Sequence, residues 1–285
     1  MDGKICLVTG ANSGIGKETT RELAARGATV IMVCRDREKG MAALGEIAGS
    51  TGNGRLDLQI ADLAQVRSLG ERICSAYPRL DVLINNAGLQ LWHRQVTPDG
   101  HETTFAVNQL APFLLTHLLL EPLKAAGAAR IINVASGLHK LARMNFDNLM
   151  FEGRYSSTKA YAQSKLAIVM FTYELARRLA GAGITANAVM PGVARTGFTR
   201  DYQGLMGFGT RLIRVFMITP QRGAETPVYL ATSPEVEGVT GKYFEKMKVR
   251  KSSAASYDTA VARRLWQVSA ELTGLDHQKL PEAAE

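Results

Sequence analysis

Short apolar runs alternate with helical patterns along most of this chain, and that alternation limits the possible folds more than any other feature. Lys4–Thr9 is an apolar run closed by Gly10, and Gly14–Arg26 then reads as a helix ending at Gly27. Thr29–Val33 follows, rich in β-branched residues, with a polar helical stretch from Asp36. The pattern continues through Leu56–Ile60, a helix over Ala64–Ala76, Asp81–Ile84, a long helix over about His101–Ala126, and Ile131–Val134. A second long helix from about Ser157 to Ala180 precedes Ile184–Val189, and a strand Gly241–Phe244 and a helix Ser256–Leu272 close the chain. Continuous apolar runs separated by helices belong to a parallel sheet buried on both faces. The expected fold class is therefore α/β: one doubly wound domain over residues 1–285, with helices on both faces of the sheet. No linker rich in Pro, Ser or Gly divides the pattern, and there is no internal repeat.

Composition narrows the field further. With 46% apolar and 21% charged residues the chain is an ordinary globular one, not disordered or fibrous. The greasiest stretch, Leu110–Leu123, is interrupted by Pro112, His117 and Glu121 and is too short to span a bilayer, so no integral membrane segment is expected. Met1 leads straight into the run Ile5–Val8 without the pattern of a signal peptide. Cys6, Cys34 and Cys74 have neither paired nor metal-binding spacing, which suits a reducing, cytoplasmic setting. The five histidines, at 93, 101, 117, 139 and 277, are scattered, so no metal site is expected and each reads as a surface or locally bonded residue. Lys and Arg number 34 against 26 Asp and Glu, leaving a charge of +8. The basic run Lys242, Lys246, Lys248, Arg250 and Lys251 has no nucleic-acid motif beside it and reads as a solvated face; no nucleic-acid partner is expected.

The chemistry concentrates in a few segments. Thr9-Gly10-Ala11-Asn12-Ser13-Gly14-Ile15-Gly16 joins the first run to the first helix. Glycines there let the backbone approach a pyrophosphate, and the helix N-terminus offers unpaired N–H groups and positive potential. Tyr161 and Lys165 stand four apart on a helix, so they share a face, and a nearby ammonium favours a phenolate over a phenol. Tyr155 and Lys159 repeat the spacing, but Ser156, Ser157 and Thr158 between them suit a helix N-cap, while Ser164 and the apolar stretch Leu166–Leu175 favour the first pair.

Taken together, the Gly-x3-Gly-x-Gly spacing after a threonine, Asn85-Asn86-Ala87-Gly88, Tyr161-Ala162-Gln163-Ser164-Lys165, and Pro191-Gly192 followed by Thr196 resemble the short-chain dehydrogenase/reductase family. The resemblance spans about residues 4 to 275. Cys34-Arg35-Asp36, the extended stretch between Ser136 and Tyr161, and Leu265-Trp266 are most similar to its retinol-dehydrogenase-like branch. The resemblance implies a Rossmann-type NAD(P)-binding domain and a reaction that interconverts a carbonyl and an alcohol. It implies catalytic roles for Asn108, Ser136, Tyr161 and Lys165. Ser136 would bond the substrate oxygen, Tyr161 exchange the proton, Lys165 support it and the nicotinamide ribose, and Asn108 hold a relay water. Gly10, Ser13, Gly14, Ile15, Gly16, Asn86, Ala87, Gly88, Tyr161, Lys165, Pro191, Gly192, Val193 and Thr196 would line the cofactor, with Asp62 and Leu63 at the adenine. At the ribose position, where an acidic residue marks NAD binders, the chain has Cys34 and then Arg35, which can pair with a 2′-phosphate. NADP(H) is thus expected ahead of NAD(H), with Asp36 next door as a complication.

Gly192 to Pro220 is the expected substrate cover. Phe198, Tyr202, Leu205, Met206, Phe208, Leu212, Phe216 and Met217 suggest a lipophilic small-molecule carbonyl or alcohol, or the packing of a helical flap on the core or a second subunit. Members of the branch often carry an N-terminal membrane anchor, whereas this sequence starts at its first strand, so a soluble enzyme is expected. A homo-oligomer, dimer or tetramer, is expected from the family. Two other functions share parts of the pattern: a non-catalytic NADP(H)-binding sensor, and a sugar-nucleotide epimerase or dehydratase. The first has no use for the full Asn–Ser–Tyr–Lys set, and the second has a different glycine spacing and a larger substrate domain.

Overall fold

A computed structural model of the chain describes residues 1–63, 66–192 and 218–276. Eight strands form one sheet in the order β3-β2-β1-β4-β5-β6-β7-β8. They are β1 (Ile5–Thr9), β2 (Thr29–Cys34), β3 (Leu56–Ile60), β4 (Val82–Asn85), β5 (Ala129–Val134), β6 (Ile184–Met190), β7 (Tyr243–Glu245) and β8 (Lys248–Arg250). Every pairing from β3 to β7 is parallel, and only β7 with β8 is antiparallel. The helices are α1 (Gly14–Ala25), α2 (Arg37–Thr51), α3 (Arg67–Ala76), α4 (Thr103–Phe105), α5 (Ala111–Leu118), α6 (Leu120–Ala125), α7 (Ser157–Arg178), α8 (Pro220–Thr232) and α9 (Thr259–Thr273).

Because successive strand residues point to opposite faces, the apolar runs feed two cores. Cys6, Val8, Val30, Met32, Val82, Ile84, Ile132 and Val134 pack with Leu23 of α1, Ile47 of α2 and Leu230 of α8. Their neighbours Leu7, Ile31, Val33, Leu83 and Ile131 pack with Leu69 of α3, Phe113 of α5, Leu123 of α6, Phe171 of α7 and Trp266 of α9. The doubly wound fold expected from the alternation is the one observed. Strand order reverses between β1 and β4, and in such sheets ligands bind beyond the carboxyl ends of the strands at that reversal.

Three details depart from expectation. The helix predicted from His101 to Ala126 is broken: α4 passes into a π-helical turn, Ala106–Leu110, and Leu119, at φ −97° and ψ 9°, separates α5 from α6. Pro112 and Pro122 cannot donate in a helical ladder, which favours such segmentation. Secondly, α3 begins at Arg67, three residues later than expected, with Val66 as its N-cap. Thirdly, the basic run forms a β-hairpin at the sheet edge. Its turn places Lys246 and Met247 at φ 52° and 59°, a conformation that usually selects Asn-Gly and that these residues do not announce. Helix α9 packs on the apolar faces of α5 and α7, through Phe113, Phe171 and Trp266. Arg178 also lies over the Trp266 ring at 4.4 Å while bonding the buried Glu174.

Candidate active site

The glycine turn sits at the strand-order reversal. Gly10 and Gly14 have φ of 68° and 55°, conformations that side chains resist. At Gly16 the reason is space: a Cβ there would lie 2.3 Å from the Gly10 carbonyl oxygen and 2.3 Å from Asn86 Nδ2. Helix α1 therefore abuts the turn, with Ser13 as an N-cap whose side chain makes no capping bond. Its first-turn N–H groups have no intrahelical partner. Such a cradle, closed to side chains and open to an anion, fits a dinucleotide pyrophosphate.

Thr9 ties this turn to the second motif, a role the sequence reading did not assign. Its hydroxyl accepts from Asn86 N and Ala87 N, both at 3.0 Å, and Asn86 Nδ2 donates back to the Thr9 carbonyl at 2.8 Å. At Gly88 an added Cβ would lie 3.2 Å from both Asn108 Oδ1 and Lys165 Nζ. Both polar atoms therefore close on the Gly88 backbone. Asn108 occupies the π-helical turn, buried, with Oδ1 accepting from Leu89 N at 2.8 Å and Nδ2 donating to Leu89 O and Ser164 Oγ, both at 2.9 Å. Asn108 thus stands within the helix distortion itself.

A polar ladder runs through the apolar core beside the site. Asn85 Nδ2 donates to Asn133 Oδ1 at 2.8 Å and Thr116 Oγ1 at 3.2 Å, and Asn133 Nδ2 donates to Thr172 Oγ1 at 2.9 Å. It fixes α7 against β4 and β5. Tyr161, Lys165 and Thr172 follow helical spacing along one stripe of α7, so locking Thr172 also sets the rotation of the other two.

Lys165 is wholly buried, and Nζ donates to the Val134 carbonyl at 2.9 Å. Burial pulls its pKa down to about 8. Tyr161 lies beside it, with Nζ 5.7 Å from the ring centroid. Burial pushes the Tyr161 phenol up to about 12, against a hydrogen bond with the Ser136 side chain that pulls it down. The phenol is thus raised where a lowering was expected, because removing both groups from water favours their neutral forms. Ser136 closes β5, and its Oγ accepts from Leu138 N at 3.3 Å. The sequence candidates Ser136, Tyr161, Lys165 and Asn108 come together beyond β4 and β5, next to Gly88.

Tyr155 stands apart. Its hydroxyl donates to Glu102 Oε1 at 3.1 Å and shares a 3.2 Å bond with Thr104 Oγ1, while Lys159 is exposed. Glu102 is buried and caps α4 through Thr104 N and Phe105 N. The second Tyr-x3-Lys pair is therefore built into a helix cap.

Beyond β2, Arg35 is exposed and forms no ion pair among the described residues. Asp36 is committed elsewhere: it caps α2 through Lys39 N at 3.0 Å and pairs with Lys39 Nζ at 2.7 Å. Its carboxylate is drawn below the usual range by Lys39. Gly40, also missed in the sequence, lets α2 approach β2, since a Cβ would lie 2.7 Å from Cys34 Sγ. Asp62 is exposed and Leu63 half-buried just after β3. Pro191 and Gly192, the latter at φ 97°, follow β6. Val193, Thr196 and the apolar residues of the expected cover lie outside the described residues, as does His277. Among the described residues no cluster of His, Cys, Asp and Glu could hold a metal ion.

Comparison with known proteins agrees with this architecture. The family model described as short chain dehydrogenase matches residues 4–204. Retinol dehydrogenase 13 of Homo sapiens is 45% identical over 292 aligned residues, covering 99% of this chain and 88% of its own. A crystal structure of a Mycobacterium paratuberculosis protein, 34% identical, has a TM-score of 0.78 and covers 96% of this chain and 94% of that one. The active-site complex of Pseudomonas aeruginosa RhlG with NADP, 26% identical, has a TM-score of 0.69 and covers 86% of this chain and 94% of that one.

The close approach at Gly16 generates one prediction. Gly16→Ala forces α1 from the turn, with an expected loss of about 1–3 kcal/mol of stability and weaker NADPH binding in a fluorescence titration. An unchanged melting temperature together with unchanged affinity would contradict the cradle.

Proposed function

The chain belongs to the short-chain dehydrogenase/reductase family, and from that premise we propose that it is an NADP(H)-dependent oxidoreductase in which Tyr161 exchanges a proton with a lipophilic carbonyl or alcohol. The observation that carries this reading is the meeting of Ser136, Tyr161 and Lys165 at the carboxyl end of β5, beside a glycine cradle that fits a dinucleotide.

Gly10, Ser13, Gly14, Ile15 and Gly16 would hold the pyrophosphate, Asn86, Ala87 and Gly88 the adjoining ribose, and Pro191 and Gly192 the nicotinamide side. When bound, the dinucleotide supplies the hydride for reduction and, once oxidised, a positive ring that favours a neighbouring phenolate. In the reducing direction, Ser136 Oγ and the Tyr161 hydroxyl hold the substrate oxygen, and Tyr161 gives up its proton as that oxygen gains charge. Lys165 then faces the phenolate. An ammonium on that side favours the phenolate over the phenol. Asn108 and Lys165, which both approach Gly88, would support the return of the proton from solvent through a water. Alcohol oxidation reverses these steps.

The NADP(H) preference rests on the end of β2. Arg35 is exposed and unpaired among the described residues, and the adjacent carboxylate, Asp36, is tied to α2 and Lys39. The lipophilic substrate is supported by the retinol dehydrogenase to which the chain is similar and by Leu141, 76% exposed on the segment just after Ser136. A cytoplasmic location accompanies the proposal, supported by three cysteines without disulfides. Cell fractionation tests it. No helix of the described residues is long and apolar enough to cross a membrane.

Three measurements check the function. Tyr161→Phe is expected to cut NADPH-linked aldehyde reduction by about 10²–10⁴-fold, while Tyr155→Phe keeps the rate and loses about 1 kcal/mol of stability; equal effects would sink the assignment. The KM for NADPH should lie below that for NADH, and Arg35→Ala should raise the first about tenfold with little change in the second. A lower KM for NADH would reverse the cofactor preference. Lys165 is charged below its pKa of about 8 and neutral above it. The kcat/KM for reduction should therefore be level below about pH 8 and fall above it, whereas a flat profile to alkaline pH would remove Lys165 from the proton path.

A further inference from the structure

The residue three beyond Ser136 is a histidine without exposed surface, and no step above uses it. His139 lies in the 3-10 turn Gly137–Leu141, and its two ring nitrogens have opposite polarity. Nε2 lies 3.1 Å from the backbone N of Ser253, which can only donate, so Nε2 is the acceptor and carries no proton. The proton therefore sits on Nδ1, which donates to the Ser136 carbonyl at 2.6 Å. The backbone N–H of His139 donates to the same carbonyl at 3.2 Å. The ring also packs on Tyr243, centroids 5.0 Å apart.

Ser253 is itself anchored. The neighbouring Ser252 Oγ shares a 2.7 Å bond with the Tyr173 hydroxyl of α7 and a 2.6 Å bond with Ser256 Oγ, and Ser252 N donates to the Tyr257 hydroxyl at 3.1 Å. The connections form a closed frame. It leaves α7 at Tyr173, passes through Ser252 and Ser253 to His139 and Ser136, and returns to α7 where the Ser136 side chain meets Tyr161.

We propose that His139 is a positioning residue: by donating Nδ1–H to the Ser136 carbonyl it fixes the Ser136 hydroxyl opposite Tyr161. The proposal rests on the reading of Ser136 and Tyr161 as the pair that holds the substrate oxygen. Displacing such a group by a fraction of the width of an atom is costly, because catalysis depends on alignment with the reacting atoms. The ring stays neutral chiefly because it is buried, with the nearby Lys140 charge acting in the same sense against the bond to the Ser136 carbonyl.

Two substitutions separate the contacts. His139→Asn places an amide N–H where Nδ1 stands and leaves Ser253 without its acceptor. His139→Gln places an amide oxygen near Nε2 and leaves the Ser136 carbonyl without the ring donor. The expected result is a kcat for NADPH-linked aldehyde reduction lowered about tenfold or more in His139→Gln and by less than about threefold in His139→Asn. The NADPH Kd should be unchanged in both, and the melting temperature should fall more in His139→Asn. Equal loss of kcat in the two variants, or a Kd that changes in step with kcat, overturns the proposal. Tyr161→Phe run alongside identifies failure of the underlying reading, since full activity there removes the catalytic pair itself. Nitrogen-15 NMR of the wild-type ring adds a readout that needs no turnover: a proton on Nδ1 is expected, and one on Nε2 overturns the proposal.

Discussion

A lysine ammonium held out of water by one strand carbonyl sets the terms for the rest of this site. Lys165 donates to the Val134 carbonyl at the last residue of β5, and burial alone brings its pKa to about 8. A desolvated charge is tolerated only where partners are fixed in advance. Here that means a strand end, a helix of fixed rotation and a glycine, Gly88, where an added Cβ would lie 3.2 Å from the lysine nitrogen. Each can be traced to local sequence: the apolar run that becomes β5, the stripe of α7, and the glycine after Asn85-Asn86-Ala87.

The fixing is done largely by buried polar groups. Asn85, Asn133, Thr116 and Thr172 cross from β4 and β5 to α7 through an otherwise apolar layer. Hydrophobic contacts alone resist separation of helix and sheet but resist rotation weakly; a hydrogen-bonded ladder specifies the angle. Thr9 does the same for the two cofactor-side segments, joining the turn after β1 to the residues after β4.

Much of the architecture was legible because alternation between period-two and helical patterning is a global signal. Both cores and nearly all the parallel strands follow from it. Neighbouring residues favoured Tyr161 over Tyr155 in the sequence, whereas the engagement of the Tyr155 hydroxyl by a buried Glu102 is tertiary. What escaped were features set by contact between distant segments. The π-helical turn at Asn108 has no period of its own in the sequence, and the edge hairpin turns at Lys246-Met247 without a turn residue. His139 looked like one of five scattered histidines because its acceptor contact comes from Ser253, more than a hundred positions away. An asparagine inside an apolar strand, as at Asn133, was a visible clue to the ladder.

The hairpin also accounts for some of the positive charge that the cofactor does not require. β8 is the outermost strand, fully exposed, and carries Lys248 and Arg250 with Lys246 at the turn and Lys251 after it. A terminal strand normally offers its open backbone groups to any passing extended segment. Here an incoming copy of the same strand would bring cations against cations, so the sheet repels its own continuation. The charge is a guard on growth: it keeps a strongly apolar, eight-stranded sheet from templating aggregation at the edge where its hydrogen bonds run out.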